Sequence, residues 1–182
     1  MEAWINYSSS KTSRSTVLGN DEGGWNDDVI IGISPDAQSG IPASNFGISH
    51  QGNPGTTRNT PSGALAADEW HHVAVTGSTI NGKIIVYIDG VQAGIQDTLV
   101  NGATFNGADG FNGSGDFHLT LGAMRSTGGD EFDGLMDEVA IYDQVLTSAD
   151  LLERANFTPV PEPSSTTLLG LGGLALLLRR LR

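Results

Sequence analysis

Five carboxylates lie within nine consecutive positions of the stretch GGDEFDGLMDEV, the densest group of carboxylates in the sequence. They are Asp130, Glu131, Asp133, Asp137 and Glu138. A pair of carboxylates can hydrolyse a glycosidic bond when one acts as acid and the other as nucleophile or base. A cluster of carboxylates can also hold calcium, which takes about six to eight oxygen ligands. The residue types therefore leave two kinds of chemistry open.

A second polar stretch, NDEGGWNDD, offers more oxygen ligands in a loop that glycines allow to bend. We predict a calcium site formed by Asp27 and Asp28 of this loop together with Asp130 and Asp137 of the acidic stretch. The alternative is a solvated acidic rim without a metal. Trp25, in the same loop, is the predicted ligand-binding residue, because its ring can stack on a sugar. It can equally plug the edge of the core.

Asp137 lies in a pattern that favours an inward-facing carboxylate. It alternates with apolar residues that are expected to face the core, namely Leu135, Val139 and Ile141. A buried carboxylate needs a partner, either hydrogen bonds or a cation, and His71 is a candidate. His71 and His72 are adjacent, so in a strand they point to opposite faces and cannot easily share one metal. Packing and hydrogen bonding are therefore the expected roles of the two histidines.

Composition narrows the possible partners. The chain has 182 residues, 25 glycines, no cysteine and a formal net charge of −12. Three of its nine basic residues lie in the last four positions, so the rest of the chain is more acidic still. Such a charge argues against nucleic acid or an anionic membrane surface and fits neutral glycans or divalent cations. The lack of cysteine excludes disulfides, thiolate metal sites and a cysteine nucleophile.

Short β-like runs separated by turn residues predict an all-β, antiparallel two-sheet sandwich. The predicted strands are 2–7, 16–18, 28–34, 45–49, 70–76, 83–89, 91–94, 117–121 and 135–142. Asp89–Gly90 has the residues that a tight hairpin turn prefers. One helix is predicted in LTSADLLERA, where Thr147 can cap the first turn and Asp150 can complete a capping box.

Three stretches resemble one family: DEWHHVAVT, NGKIIVYIDGVQAG and FHLTLGAMRSTGGDEFDGLMDEVAIYDQVLTSADLLERA. They are similar to laminin-G-like, concanavalin A-like jelly-roll domains. The resemblance implies a jelly-roll sandwich that binds a ligand, often with calcium at its rim. Some related glucanases carry Glu-x-Asp-x-x-Glu on one strand. Here Glu131 and Asp133 begin that pattern, but Met136 replaces the second glutamate, so we expect no enzymatic activity.

The same resemblance suggests that the beginning of the domain is missing. In the family at least one strand precedes the strand that resembles EAWIN, whereas Met1 falls almost on it. The first residues also have no basic segment, apolar stretch or cleavage site of a signal peptide. We therefore expect a missing first strand and a missing export signal; the alternative is a shortened domain with an uncovered sheet edge.

The C-terminal residues resemble a PEP-CTERM sorting signal. It combines Pro161-Glu162-Pro163, the apolar run 168–178 and the closing Arg179, Arg180 and Arg182. The resemblance implies processing by an exosortase and delivery to the envelope, outer surface or matrix of a Gram-negative bacterium. As a helix the run spans roughly 16 Å, about half of a hydrocarbon core, and the arginines should stay cytoplasmic. We expect a short hydrophobic helix that inserts transiently into the inner membrane.

The sequence thus predicts a laminin-G-like sandwich over residues 1–157, a Pro/Ser/Thr linker over 158–167 and a sorting tail over 168–182. The predicted function is that of an exported, non-enzymatic surface or matrix protein whose jelly roll recognises glycans, with calcium as the only cofactor considered. Its predicted partners are an exosortase and an extracellular glycan. The alternatives are a glycan-active hydrolase or lyase, and a nonfunctional truncated fragment.

Overall fold

The computed structural model describes residues 1–11, 14–20, 28–33, 45–51, 56–60, 64–78, 83–93, 97–98, 119–125 and 127–156. Two antiparallel sheets and one helix account for their regular structure. Sheet A contains β1 (Glu2–Tyr7), β6 (His71–Ser78), β7 (Lys83–Ile88), β8 (Val91–Gln92), β9 (Asp97–Thr98) and β11 (Gly134–Ala140). Sheet B contains β2 (Ser15–Asn20), β3 (Asp28–Ile33), β4 (Phe46–Gln51), β5 (Thr56–Asn59) and β10 (Thr120–Leu121).

The order of strands in sheet A determines which side chains become neighbours. The order is β11-β1-β6-β7-β8, and β9 pairs with β7 beside that path. In sheet B the order is β10-β2-β3-β4-β5. Strand β1 therefore lies between β6 and β11, which places the N-terminal and C-terminal parts of the domain side by side in one sheet.

The core lies between the two sheets and follows from alternation along the strands. In β1, Ala3 and Ile5 are fully buried and Tyr7 is 3% exposed. Side chains from both sheets complete one cluster, including Val17, Ile33, Phe46, Ile48, Val73 and Val86. This inner packing confirms the predicted two-sheet antiparallel sandwich.

A short helix, α1 (Ser148–Ala155), covers part of the outer face of sheet A. The predicted capping box is confirmed, because the Thr147 side chain accepts from the Asp150 N–H and the Asp150 carboxylate accepts from the Thr147 N–H. Leu151 is 1% exposed and packs in a cluster with Ala74, Tyr87 and Leu146. A side chain at Gly90 would bring its Cβ within 2.5 Å of Leu152 Cα, so the helix packs closely on the β7–β8 turn.

Most predicted strands are confirmed, with shifted ends. Asp89 (φ 51°) and Gly90 (φ 75°) adopt the left-handed conformations of the predicted hairpin turn. Strands β5 and β9 were not predicted from the sequence. The predicted hydrophobic helix of the C-terminal tail lies outside the described residues. Within the described part, no helix is long and apolar enough to span a membrane.

Candidate functional site

The outer face of sheet A is covered at one end by α1 and exposes two tryptophans at the other. Because Ala3, Ile5 and Tyr7 of β1 point into the core, Glu2, Trp4 and Asn6 point to the outer face. Glu2 lies toward the helix and is only 5% exposed, whereas Trp4 and Asn6 are half-buried. The outer face therefore has a covered half and an open half.

The register of three strands defines the open half. Trp4 lies between His72 of β6 and Asp137 of β11, and Asn6 lies opposite Leu135. Trp70 directly precedes β6 and is two residues from His72, so strand alternation directs it to the same face. We call this surface the tryptophan face; it consists of Trp4, Asn6, Trp70, Leu135 and Asp137.

The tryptophan face combines exposed apolar area with hydrogen-bonding groups. Trp70 is 40% exposed and Leu135 is 61% exposed. Trp70 lies two residues before His72, the strand partner of Trp4, which places the two tryptophans diagonally on this face. The amide of Asn6 can donate and accept, and the exposed carboxylate of Asp137 accepts. This arrangement suits a ligand with both apolar faces and hydroxyl groups.

A β-bulge follows Asp137 at the edge of the tryptophan face. The register between β1 and β11 shifts between Glu2 and Trp4, and Glu138 has a φ of +48°. The Glu138 N–H donates to Asp137 Oδ1 at 2.8 Å, which satisfies a backbone donor at the bulge. The extra residue allows Met136 and Val139 to pack against the core, although they are three positions apart.

Two expectations about Asp137 are therefore wrong. It was expected to face the core with Leu135, but both residues are exposed, since the bulge breaks the alternation that the expectation assumed. His71 is not its partner, because His71 Nδ1 lies 2.9 Å from Asp89 Oδ2. Asp89 also accepts from the His72 N–H at 3.0 Å, so this carboxylate ties the start of β6 to the hairpin turn.

A partly buried polar cluster lies between the tryptophan face and α1; it consists of Glu2, His72, Tyr142 and Arg154. Glu2 Oε1 accepts from the Tyr142 hydroxyl at 2.7 Å and from Arg154 NH1 at 2.9 Å. His72 Nε2 is 3.4 Å from Glu2 Oε2, and the Arg154 guanidinium lies 5.0 Å from the centre of the Tyr142 ring. The cluster anchors the last turn of α1 to β1.

One member of this cluster, His72, also packs against Trp4. The rings of Trp4 and His72 meet edge to face, with centroids 5.6 Å apart and an interplanar angle of 64°. His72 is 1% exposed, and this burial lowers its pKa more than the neighbouring Glu2 carboxylate raises it. Burial likewise raises the pKa of Tyr142, with the Glu2 hydrogen bond adding to the effect. Near neutral pH, Trp4 therefore packs against an uncharged His72 ring.

The remaining acids of the GGDEFD stretch lie at a rim of the sandwich and already have protein partners. Asp130 Oδ2 is 3.3 Å from Arg14 NH1, and Asp133 Oδ2 accepts from the Ser10 hydroxyl at 3.0 Å. Glu131 Oε1 accepts from the Gly129 N–H at 2.9 Å, and this backbone hydrogen bond lowers the pKa of Glu131. A general acid of a glycosidase needs a raised pKa, so the shift is in the opposite direction.

The described members of the predicted calcium site are not brought together. The Asp130 carbonyl accepts from the Thr16 N–H near the start of β2, whereas Asp28 begins β3 beyond the Asn20–Val29 pair at the other end. The residues from Thr16 to Asn20 alone span about 13 Å. The backbone positions of Asp28 and Asp130 therefore lie near opposite ends of β2.

Asp137 is likewise separate, because it lies on the outer face of sheet A. No group of three or more acidic or histidine side chains in the described ranges is placed to hold a metal ion. Asp27, Trp25 and the sorting residues Pro161, Glu162, Pro163, Arg179 and Arg180 lie outside the described residues. Calcium binding and the role of Trp25 stay predictions.

Sequence reasoning missed the tryptophan face, although part of its signal was present. In EAWIN the apolar residues Ala3 and Ile5 flank Trp4, so alternation alone directs Trp4 away from the core. Trp70 is two residues before His72, so alternation directs these two side chains to the same face. What the sequence could not show is that β1 pairs between β6 and β11, which makes Trp4, Trp70 and Asp137 neighbours.

Residues 1–152 match the family model of the concanavalin A-like lectin/glucanase superfamily. The chain belongs to this superfamily. Residues 159–182 match the PEP-CTERM protein-sorting motif. This match indicates an exported protein that is sorted to the cell envelope. No curated protein is similar enough to match the sequence.

Solved structures share the sandwich. A protein of Bacteroides ovatus assigned as carbohydrate-binding is 24% identical with a TM-score of 0.59; the match covers 87% of this chain but only 40% of that protein. The CBM40 module of a Ruminococcus gnavus sialidase, bound to α2,3-sialyllactose, is 16% identical with a TM-score of 0.63 and coverages of 85% and 82%. Domain 4 of a Geobacillus stearothermophilus arabinanase, in complex with arabinotriose, is 21% identical with a TM-score of 0.57 and coverages of 85% and 65%.

Proposed function

We propose that this chain is an exported, non-enzymatic surface or matrix protein that binds glycans through the tryptophan face. The observation that carries the proposal is the pair Trp4 and Trp70 on the open half of sheet A, beside Asn6 and Asp137. The C–H faces of a sugar ring pack on aromatic rings, while its hydroxyls need nearby donors and acceptors. The tryptophan face supplies both kinds of contact on a rigid sheet.

The solved relatives support the ligand class. Two of them hold oligosaccharides, sialyllactose in one and arabinotriose in the other. Their identity to this chain is low, so they indicate only that the same sandwich can accommodate glycans. The rim acids support a non-enzymatic role, since Glu131 and Asp133 are exposed, are held by local hydrogen bonds and have no second glutamate at Met136.

A glycan array tests the proposal directly. The purified full chain should bind a subset of oligosaccharides, and the bound glycans should remain uncleaved after prolonged incubation. Running the array with calcium and with a chelator tests the calcium prediction separately. Failure to bind any glycan in either condition would overturn the proposed function, and release of shortened products would replace it with the hydrolase alternative.

Export needs its own experiment. We propose that an exosortase of a Gram-negative host recognises the Pro161-Glu162-Pro163 segment, and that the apolar tail inserts only transiently in the membrane. The chain would be produced behind a secretion signal, so that entry into the export pathway is not limiting, in matched strains with and without the exosortase. Mass spectrometry should show loss of the C-terminal tail only in the strain that has the enzyme, and an intact tail in both strains would contradict the proposal.

A further inference from the structure

We infer that the tryptophan face selects uncharged oligosaccharides and disfavours glycans that carry carboxylate groups. This inference rests on the proposed function and adds to it the charge class and minimum size of the ligand. The juxtaposition that carries it is an exposed carboxylate, Asp137, directly opposite Trp4 on the binding surface.

Three carboxylates of the described residues lie on or next to the tryptophan face. Asp137 lies on it, Glu138 follows in the bulge, and Glu69 immediately precedes Trp70; all three are exposed. The chain as a whole has a formal net charge of −12, so the long-range field has the same sign as the local one. When an acidic sugar packs its ring on Trp4, its carboxylate would therefore lie near groups of like charge.

Arg154, the cation of the polar cluster beside the tryptophan face, is already paired. Its NH1 group donates to Glu2 Oε1 at 2.9 Å and to the Tyr142 hydroxyl at 2.8 Å. Glu2 is 5% exposed, so it depends on these partners and keeps the guanidinium engaged. Recognition of carboxylates by proteins commonly uses an arginine, and here Nη1 of the guanidinium already donates to Glu2 and Tyr142 of the protein itself.

The polar groups of the tryptophan face instead match hydroxyl groups. A carboxylate such as Asp137 only accepts hydrogen bonds, and sugar hydroxyls can donate to it. Asn6 is neutral and can both donate and accept. An uncharged sugar can satisfy both side chains, whereas a sugar carboxylate can accept from Asn6 but cannot donate to Asp137.

The spacing of the aromatic rings indicates that more than one sugar residue is bound. Trp70 lies two residues before His72, the strand partner of Trp4, so the two rings present separate stacking positions on the same face. Two consecutive sugar residues can each pack on one tryptophan. We therefore expect oligosaccharides of two or more residues to bind, and monosaccharides to bind much more weakly.

Matched pairs of glycans test the inference. A neutral oligosaccharide that binds the full chain is compared by calorimetry with the same oligosaccharide extended by a sialic acid, for example lactose with sialyllactose if lactose binds. Two charges at contact distance in water interact by an amount that corresponds to a factor on the order of five in affinity. The acidic form should bind at least about fivefold more weakly, and the difference should shrink when salt is added.

Asp137→Asn should narrow the ratio between the two affinities toward one, because it removes the charge and keeps an oxygen that can accept from the Glu138 N–H. Asp143→Asn is the matched control, since Asp143 is an exposed acid of the segment before α1. The control should leave the ratio unchanged.

Equal or tighter binding of the acidic form, with neutral binding retained, would overturn the inference and leave the proposed function intact. An affinity ratio that Asp137→Asn does not change would also overturn it. Loss of binding to every glycan would overturn the proposed function and this inference together.

Discussion

The two halves of the outer face of sheet A use the same strands in different ways. In the covered half, α1 buries Leu151 to 1% exposure against Ala74 and Tyr87, so the apolar area contributes to folding. In the open half, Trp70 and Leu135 remain 40% and 61% exposed. The difference separates side chains that stabilise the domain from side chains that are available to a ligand.

The largest expected effect is on the covered half. Leu151→Ala should lower the free energy of unfolding by about 2–5 kcal/mol, because it leaves a cavity between α1 and sheet A. Chemical denaturation would measure the loss. Leu152→Ala is the matched control, since its side chain is 46% exposed, and it should cost less than about 1 kcal/mol. Equal losses for the two variants would mean that α1 does not pack as described.

Arg154→Ala tests the boundary between the halves. It removes a donor to the buried Glu2 carboxylate and leaves Tyr142 as the remaining hydrogen-bond partner of Oε1. We expect a loss of about 1–2 kcal/mol, toward the lower end because the arginine side chain is 42% exposed and screened by solvent. Glu153→Ala, at the adjacent exposed position, should change stability by about 0.5 kcal/mol or less. A loss no greater than that of the control would show that Glu2 is satisfied without Arg154.

Trp70→Ala tests the open half. Glycan affinity should fall by at least about tenfold, which corresponds to about 1.4 kcal/mol, because one of two stacking rings is removed. Calorimetric titration with a glycan identified on the array measures this loss. Leu152→Ala, an exposed apolar truncation on α1, should bind normally. Unchanged affinity in Trp70→Ala would show that the glycan does not bind at the tryptophan face.

The smallest expected effect concerns pH. Burial lowers the folded-state pKa of His72 below its ordinary value of 6.5, so the unfolded chain binds this proton more readily. Stability should therefore fall as pH decreases through and below 6.5, by at most about 1.4 kcal/mol per pH unit from this group. His72→Gln should show a shallower fall than the parent chain over the same range.

An NMR titration of the His72 ring provides a second measurement of the same property, without a substitution. Its midpoint should lie below 6.5. A midpoint at or above that value would show that the ring is not held uncharged beneath Trp4.

Much of the fold could be predicted because its strongest signals are local. Alternation identified β1 and β7, the Asp89–Gly90 pair identified a hairpin turn, and Thr147 with Asp150 identified the start of α1. Strands β5 and β9 were missed because TTRN and DT are short and have no apolar alternation. These strands form by pairing with β4 and β7, and such pairing is a tertiary effect.

The candidate site was harder to predict, for two physical reasons. The bulge at Glu138 shifts the alternation of β11, so the sequence pattern assigned Asp137 to the wrong face. The neighbours of Trp4 come from positions about 70 and 130 residues away, and only the strand order brings them together. The acids that looked like one cluster in the sequence are distributed between a rim and an outer face.

The most direct test of the central claim follows all three tryptophans of the chain at once. Nitrogen-15 NMR resolves each indole N–H, and Trp→Phe variants assign the three signals. When a bound glycan is titrated in, the signals of Trp4 and Trp70 should shift together with one dissociation constant, and the third signal tests the separate prediction for Trp25. A shift of Trp25 without shifts of Trp4 and Trp70 would contradict the account and place glycan binding in the NDEGGWNDD loop.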